Sequence, residues 1–112
     1  MAAKFEIKKT KTGFVFNLKA PNGKYILTSE VYEEKWSALK GVETVQKSSG
    51  SEQNFELRHS KKREPFFVLL AKNGEIICKS EMYKSMKGCR GGIASCIRFG
   101  PAARIEDLNS TA

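Results

Sequence analysis

From Phe5 onward apolar and polar residues alternate with a period of two: Phe5 and Ile7 against Glu6 and Lys8, running into Thr10-Lys11-Thr12-Gly13. That spacing predicts a β-strand and, at the polar tetrad, a hairpin. Phe14, Phe16, Leu18 and Ala20 continue on one face, with Val15, Asn17 and Lys19 on the other. One apolar and one mostly polar face suits an antiparallel sheet covered on a single side. Pro21-Asn22-Gly23-Lys24 predicts a tight turn, because proline presets φ and Asn-Gly tolerates positive φ. The third strand, Lys24 to Ser29, is apolar at consecutive positions, as expected of one buried on both faces or placed centrally.

After Ser29-Glu30-Val31-Tyr32 the period lengthens. Ala38, Leu39, Val42 and Val45 fall at helical spacing, with Lys35, Lys40, Glu43 and Lys47 outward. Gly41 in mid-helix costs about 1 kcal/mol against alanine, and close backbone packing is the expected reason for it. A polar connector, Ser48 to Asn54, follows, and then the pattern restarts. Phe55-Glu56-Leu57 repeats Phe5-Glu6-Ile7, and Phe67, Leu69 and Ala71 repeat Phe16, Leu18 and Ala20, the intervening turn having gained one residue. Asn73-Gly74, Ser80-Glu81, Tyr83 and Gly92 keep step with Asn22-Gly23, Ser29-Glu30, Tyr32 and Gly41. A second helix, from about Ser85 to Ile97, places Met86, Cys89, Ile93, Cys96 and Ile97 on its inner stripe. Its glycines, Gly88, Gly91 and Gly92, leave it dependent on tertiary packing. Phe99-Gly100-Pro101 stops it, and Arg104 to Leu108 can return as a short extended segment. Such internal repetition sets the architecture: α+β, with two tandem β-β-β-α repeats, antiparallel strands backed by one helix per repeat, and a pseudo-two-fold relation between the copies. The expected bounds are 4–48 and 54–99, with a tail at 100–112.

At 112 residues one compact unit is expected. No apolar leader follows Met1-Ala2-Ala3-Lys4 and no stretch is long enough to span a bilayer, so a cytoplasmic protein with no membrane partner is expected. Cys78, Cys89 and Cys96 form no C-x-x-C pair, and Cys89 and Cys96 would stand roughly 10 Å apart along one helix. They read as buried free thiols acting as small hydrophobes. His59 is the single histidine. With no metal-ligand set, Gly-rich phosphate loop or paired acid and base, neither cofactor, metal nor catalysis is expected.

These residues resemble the YegP-like family of small bacterial proteins, built from one or two copies of a domain of unknown function. The resemblance rests on Phe-Glu-Ile/Leu at each repeat start, the Leu-x-Ala-x-Asn-Gly turns, Ser-Glu-x-Tyr, Gly-Ile/Val-x-Ser/Thr and the closing Ala103-Arg104-Ile105-Glu106-Asp107-Leu108. It implies an α+β fold of antiparallel strands backed by one helix per repeat, and no activity; no small-molecule ligand is expected. The chain departs from the family pattern at Trp36, Leu39 and Lys40, at the hairpin tip Lys61-Lys62-Arg63-Glu64-Pro65, and at Phe66, Val68 and Leu70.

That last departure is the sharpest asymmetry, because the first copy carries Val15, Asn17 and Lys19 there. A strand apolar on both faces is covered on both or exposes an interaction patch. Two readings follow for Phe66, Val68 and Leu70: a homodimer or partner interface, or a cover formed by Ile105 and Leu108. Ser29, Glu30, Tyr32 and their counterparts Ser80, Glu81, Tyr83 either line paired pockets or serve as junctions whose side-chain oxygens satisfy backbone donors. The net charge of +8 raises a third class of partner. Lys8, Lys19, Lys24 and the Lys61-Lys62-Arg63 tip could contact the phosphates of nucleic acid. The expected function is a small non-enzymatic, self-associating interaction module, with non-specific nucleic-acid binding as the alternative.

Overall fold

The computed structural model describes residues 2–108. Strands β1 (Lys4–Lys9), β2 (Phe14–Lys19) and β3 (Tyr25–Ser29) precede helix α1 (Lys35–Ser48). Strands β4 (Phe55–His59), β5 (Pro65–Leu70) and β6 (Ile76–Lys79) precede helix α2 (Met86–Phe99), and β7 (Arg104–Asp107) follows. All seven strands share one sheet in the order β4-β5-β6-β3-β2-β1-β7. The halves join where β3 and β6 run antiparallel, with Thr28 opposite Lys79 and Ser29 opposite Cys78.

The expectation of antiparallel strands needs one correction. β7 lies parallel to β1, with Phe5 beside Ile105 and Ile7 beside Asp107. Parallel neighbours require a crossover rather than a hairpin, and the chain reaches this position only after α2. Lys4 Nζ to Glu106 at 2.6 Å, the Lys35–Asp107 ion pair, and Gln46 Nε2 donating to the Ala103 carbonyl at 3.0 Å hold the segment in place. Of the expected tail, residues 109–112 lie outside the described residues.

The core lies between the helices and one sheet face. Phe5, Ile7, Phe16, Leu18, Phe67 and Leu69 are fully buried there against Ala38, Val42, Val45, Cys89 and Cys96. Each such phenylalanine or leucine contributes about 1.5–3 kcal/mol, enough to hold a helix as glycine-rich as α2. The run of apolar residues in β3 has two causes. β3 is central in the sheet, and a register shift between Leu18 and Lys19 leaves Ile26 unmatched, so both Ile26 and Leu27 reach the core. Between Leu69 and Leu70 the same shift brings in Ile77 beside Cys78. The expected Asn-Gly turns form: Gly23 takes φ +87° and Gly74 φ +85°, and Asn22 and Asn73 Oδ1 each accept from the N–H two residues on, at 3.0 Å.

Candidate functional site

Residues between the core positions point to the other sheet face, which neither helix covers. In the first half this face is a closed polar network. Glu6, 4 % exposed, accepts from the Tyr25 hydroxyl at 2.7 Å and from Lys19 Nζ at 3.5 Å, with Lys4 Nζ at 3.8 Å. Lys8 and Lys19 sit 5.4 and 5.5 Å from the Tyr25 ring centre, close enough for cation–π attraction. Asn17 Nδ2 donates to Thr28 Oγ1 at 2.8 Å. Burial pushes the Glu6 carboxyl up, but the Tyr25 hydrogen bond and the two lysines outweigh it and hold its pKa below the ordinary value.

In the second half the same face is an apolar ridge. The register places Glu56, Val68 and Lys79 in one row, continuing into Thr28, Asn17 and Glu6. Val68 is fully buried yet stands apart from the core cluster. Phe66 and Leu70, two residues to either side, are half-buried. Ile76, opposite Leu70, extends the ridge. Sequence reasoning missed Ile76, because three consecutive apolar residues conceal which one the register shift turns outward. The expectation that Ile105 and Leu108 cover the ridge is not met. β7 occupies the opposite side of the sheet, and these side chains are themselves 42 % and 48 % exposed.

The two Ser-Glu-x-Tyr junctions match each other in detail. Ser29 Oγ accepts from Phe16 N–H at 2.9 Å and donates to the Glu30 carbonyl at 2.7 Å; Ser80 does the same with Phe67 and Glu81 at 2.9 and 2.8 Å. Each serine thus satisfies a buried backbone donor, as a junction residue does. Tyr32 stacks on Phe16 and Tyr83 on Phe67, both with centroids 6.1 Å apart, and the hydroxyls rest against Gly41 and Gly92. That contact is the close packing expected of the two mid-helix glycines. Small clefts of about 280 and 160 Å³ open beside Glu30 and Tyr32 and beside Glu81 and Tyr83, each closed by the Ala-x-Asn-Gly turn of the other half. Glu30 and Glu81 are exposed at their rims. Burial raises Tyr32 above its ordinary pKa and pushes Tyr83 up to about 12.

The basic residues do not form one surface. Lys8 and Lys19 belong to the Tyr25–Glu6 network, and Lys24 lies in the β2–β3 turn. Lys61, Lys62 and Arg63 form an exposed tip between β4 and β5, at the opposite edge of the sheet from β1. Arg63 takes the left-handed conformation, φ 64°, that Gly23 and Gly74 occupy in the β2–β3 and β5–β6 turns. His59 is exposed on β4. Cys78, Cys89 and Cys96 are buried and free, and burial pushes all three thiols up. Among the described residues no group of three or more His, Cys, Asp or Glu could hold a metal ion, and no helix is long and apolar enough to cross a membrane.

Two tandem copies of a domain of unknown function, DUF1508, match residues 10–56 and 60–107, and the chain belongs to that family. It is 49 % identical over 105 residues to the UPF0339 protein YegP of Yersinia pestis, covering 93 % of this chain and 94 % of that one. Against the UPF0339 protein PA0329 of Pseudomonas aeruginosa the identity is 44 % over 108 residues, covering 96 % and 98 %. The solution structure of yegP from E. coli, a protein of unknown function, superposes with a TM-score of 0.90 at 38 % identity over 99 % of this chain and 97 % of that one. That of SO3888 from Shewanella oneidensis gives 0.89 at 39 % identity over 96 % and 92 %. The family is thus one of uncharacterised function.

Proposed function

We propose that the protein is a small non-enzymatic interaction module that self-associates through the open sheet face of its second half. The supporting observation is the contrast across that face. Positions 15, 17, 19 and 25 belong to a face closed by hydrogen bonds and ion pairs, whereas Phe66, Val68, Leu70 and Ile76 at the corresponding places form an apolar ridge with no described helix or strand over it. Phe66, Leu70 and Ile76 keep part of their surface open around the buried Val68, and partly open apolar surface of this kind suits an interaction site. In this reading two β-β-β-α halves, 4–48 and 54–99, are related by an approximate two-fold axis through the Thr28–Lys79 pair. The first half stays monomer-like and the second carries the contact.

Sedimentation of the wild type over a range of concentrations, at low and high salt, tests this. The reading expects a mass above the 12.5 kDa of one chain, little changed by salt, because apolar burial drives the association. Labelled random duplex DNA in the same salt series separates the alternative. Binding that falls steeply as salt rises, through counterion release, without self-association would favour nucleic acid and sink the apolar interface.

A further inference from the structure

The outer edges of the two halves differ. In the first half β7 lies along β1, Leu108 N–H donates to the Ile7 carbonyl at 2.9 Å, and Phe5 and Ile7 are fully buried. In the second half no described strand pairs with the corresponding side of β4. Phe55 and Leu57, the counterparts of Phe5 and Ile7, remain half-buried, and with Ile93 and residues 51–53 they line an open groove of about 730 Å³. Free edges are ordinarily blunted by shortness, charged side chains, proline, a bulge or a cover; of these the five-residue β4 has its brevity and the opposite charges of Glu56 and Arg58. β4 has no proline, and its pairing with β5 runs unbroken from Phe55 to His59.

The outward backbone groups follow from the ladder. Phe67 accepts from Ser80 N–H at its carbonyl and donates its own N–H to Ser80 Oγ. Its peptide groups therefore point to β6, and those of Leu57, opposite it, point away from β5. Antiparallel ladders alternate, so Phe55, Leu57 and His59 offer N–H and C=O groups to the free edge, while Glu56 and Arg58 bond to β5.

We propose that this edge pairs antiparallel with β4 of a second copy, with Leu57 opposite the partner's Leu57. In that register Phe55 meets the partner's His59, so the outward-facing residues pair only with one another and their backbone groups are all satisfied. Glu56 then faces the partner's Arg58, and Arg58 the partner's Glu56. Both lie on the open sheet face, where within one strand they already approach to 3.4 Å. A two-fold pairing centred one residue to either side would set Glu56 against Glu56, or Arg58 against Arg58, and like charges directly opposite destabilise a sheet. The partner's Leu57 enters the groove beside Ile93, with the partner's His59 opposite Phe55, as Ile105 stands beside Phe5 at the other edge.

The edge is separable from the open face, so the test is made on the Phe66→Val/Val68→Asn/Leu70→Lys variant, whose open face carries the first half's residues at these three positions. This variant is expected to sediment as a dimer of 12.5 kDa chains. Arg58→Glu in that background weakens dimerisation about tenfold or more, since it sets like charges opposite each other twice. Adding Glu56→Arg restores the affinity to within about threefold of the starting variant, because opposite charges again face each other. Leu57→Cys forms a covalent dimer under mild oxidation beyond that of a parent carrying only the native thiols. The Cα atoms of a hydrogen-bonded antiparallel pair lie about 5.5 Å apart, within disulfide reach. Glu56→Cys does not. A monomeric starting variant, an Arg58→Glu change without effect, or equal crosslinking at 56 and 57 overturns the proposal. A monomeric starting variant from an associating wild type would leave the open-face reading standing. An unchanged mass on the triple substitution, lost on Arg58→Glu, would sink the open-face reading alone.

Discussion

Gly91 and Gly92 are neighbours on α2, yet alanine at each is expected to act with opposite sign. Either substitution gains about 1 kcal/mol of helix propensity. A Cβ at Gly91 meets nothing within 4 Å, so Gly91→Ala should stabilise by about 0.5–1 kcal/mol. At Gly92 the methyl would overlap the Tyr83 hydroxyl, with Tyr83 Cζ at 2.8 Å and Phe67 Cε2 at 2.9 Å. Neither neighbour is a flexible chain end. The Tyr83 ring is stacked on Phe67 at 18°, and Phe67 is fully buried. Overpacking costs about 1–3 kcal/mol, and overlap with a seated ring falls at the upper end. Subtracting the propensity gain leaves a net loss of about 2 kcal/mol, a fall in Tm of about 8–12 °C for a domain of this size. Calorimetric melts of both variants, with urea unfolding as a second measure, read this directly. Tyr83→Phe in the Gly92→Ala background should recover part of the loss, because the hydroxyl is the nearest obstacle. Should Gly92→Ala prove as stable as Gly91→Ala, Tyr83 is not seated against α2 as described.

Glu6 is held below its ordinary pKa of 4.5 in the fold, so its contribution is present above that pH and is lost as pH falls through the folded value. Glu6→Gln should therefore flatten the acid loss of stability below pH 4.5; an unchanged slope would mean that Tyr25, Lys19 and Lys4 do not hold the carboxylate. Burial raises Tyr83 to about 12 and Tyr32 above 10, and the hydrogen bond to Glu6 raises Tyr25. Tyrosinate absorbance of the native protein should show no group ionising at the ordinary 10, and stability should fall between pH 10 and about 12, where only the unfolded chain has lost these protons. A native transition centred on 10 would contradict this. The three buried thiols should resist alkylation in the native protein and react together on unfolding; rapid native labelling of any one would refute its burial.

Much of the fold is local chemistry and could be read directly. Strand alternation, the Asn-Gly turns and the helical stripes each lie within a few residues, and the duplicated copy supplies every signal twice. Contacts between distant residues were not legible. Within the sheet the halves meet at two residue pairs of β3 and β6, and no pattern within either strand specifies that partner. Parallel pairing of β7 with β1 depends on where α2 delivers the chain. The ridge was visible as Phe66, Val68 and Leu70 because they break the alternation, whereas Ile76 became a member only through the register shift. Glu6 and Tyr25 each look ordinary in sequence. Their hydrogen bond closes the face of the first half and makes the second stand out.

Comparing the wild type with the Phe66→Val/Val68→Asn/Leu70→Lys variant by light scattering tests the central claim most directly. Each introduced residue already occupies the corresponding position of the first half, so the thermal melt should remain cooperative, though lowered by the polar group placed at the fully buried Val68 position. The account predicts a wild-type mass above that of a single chain and a lower mass for the variant at the same concentration. A wild type that stays at 12.5 kDa, or a variant of unchanged mass, would contradict it.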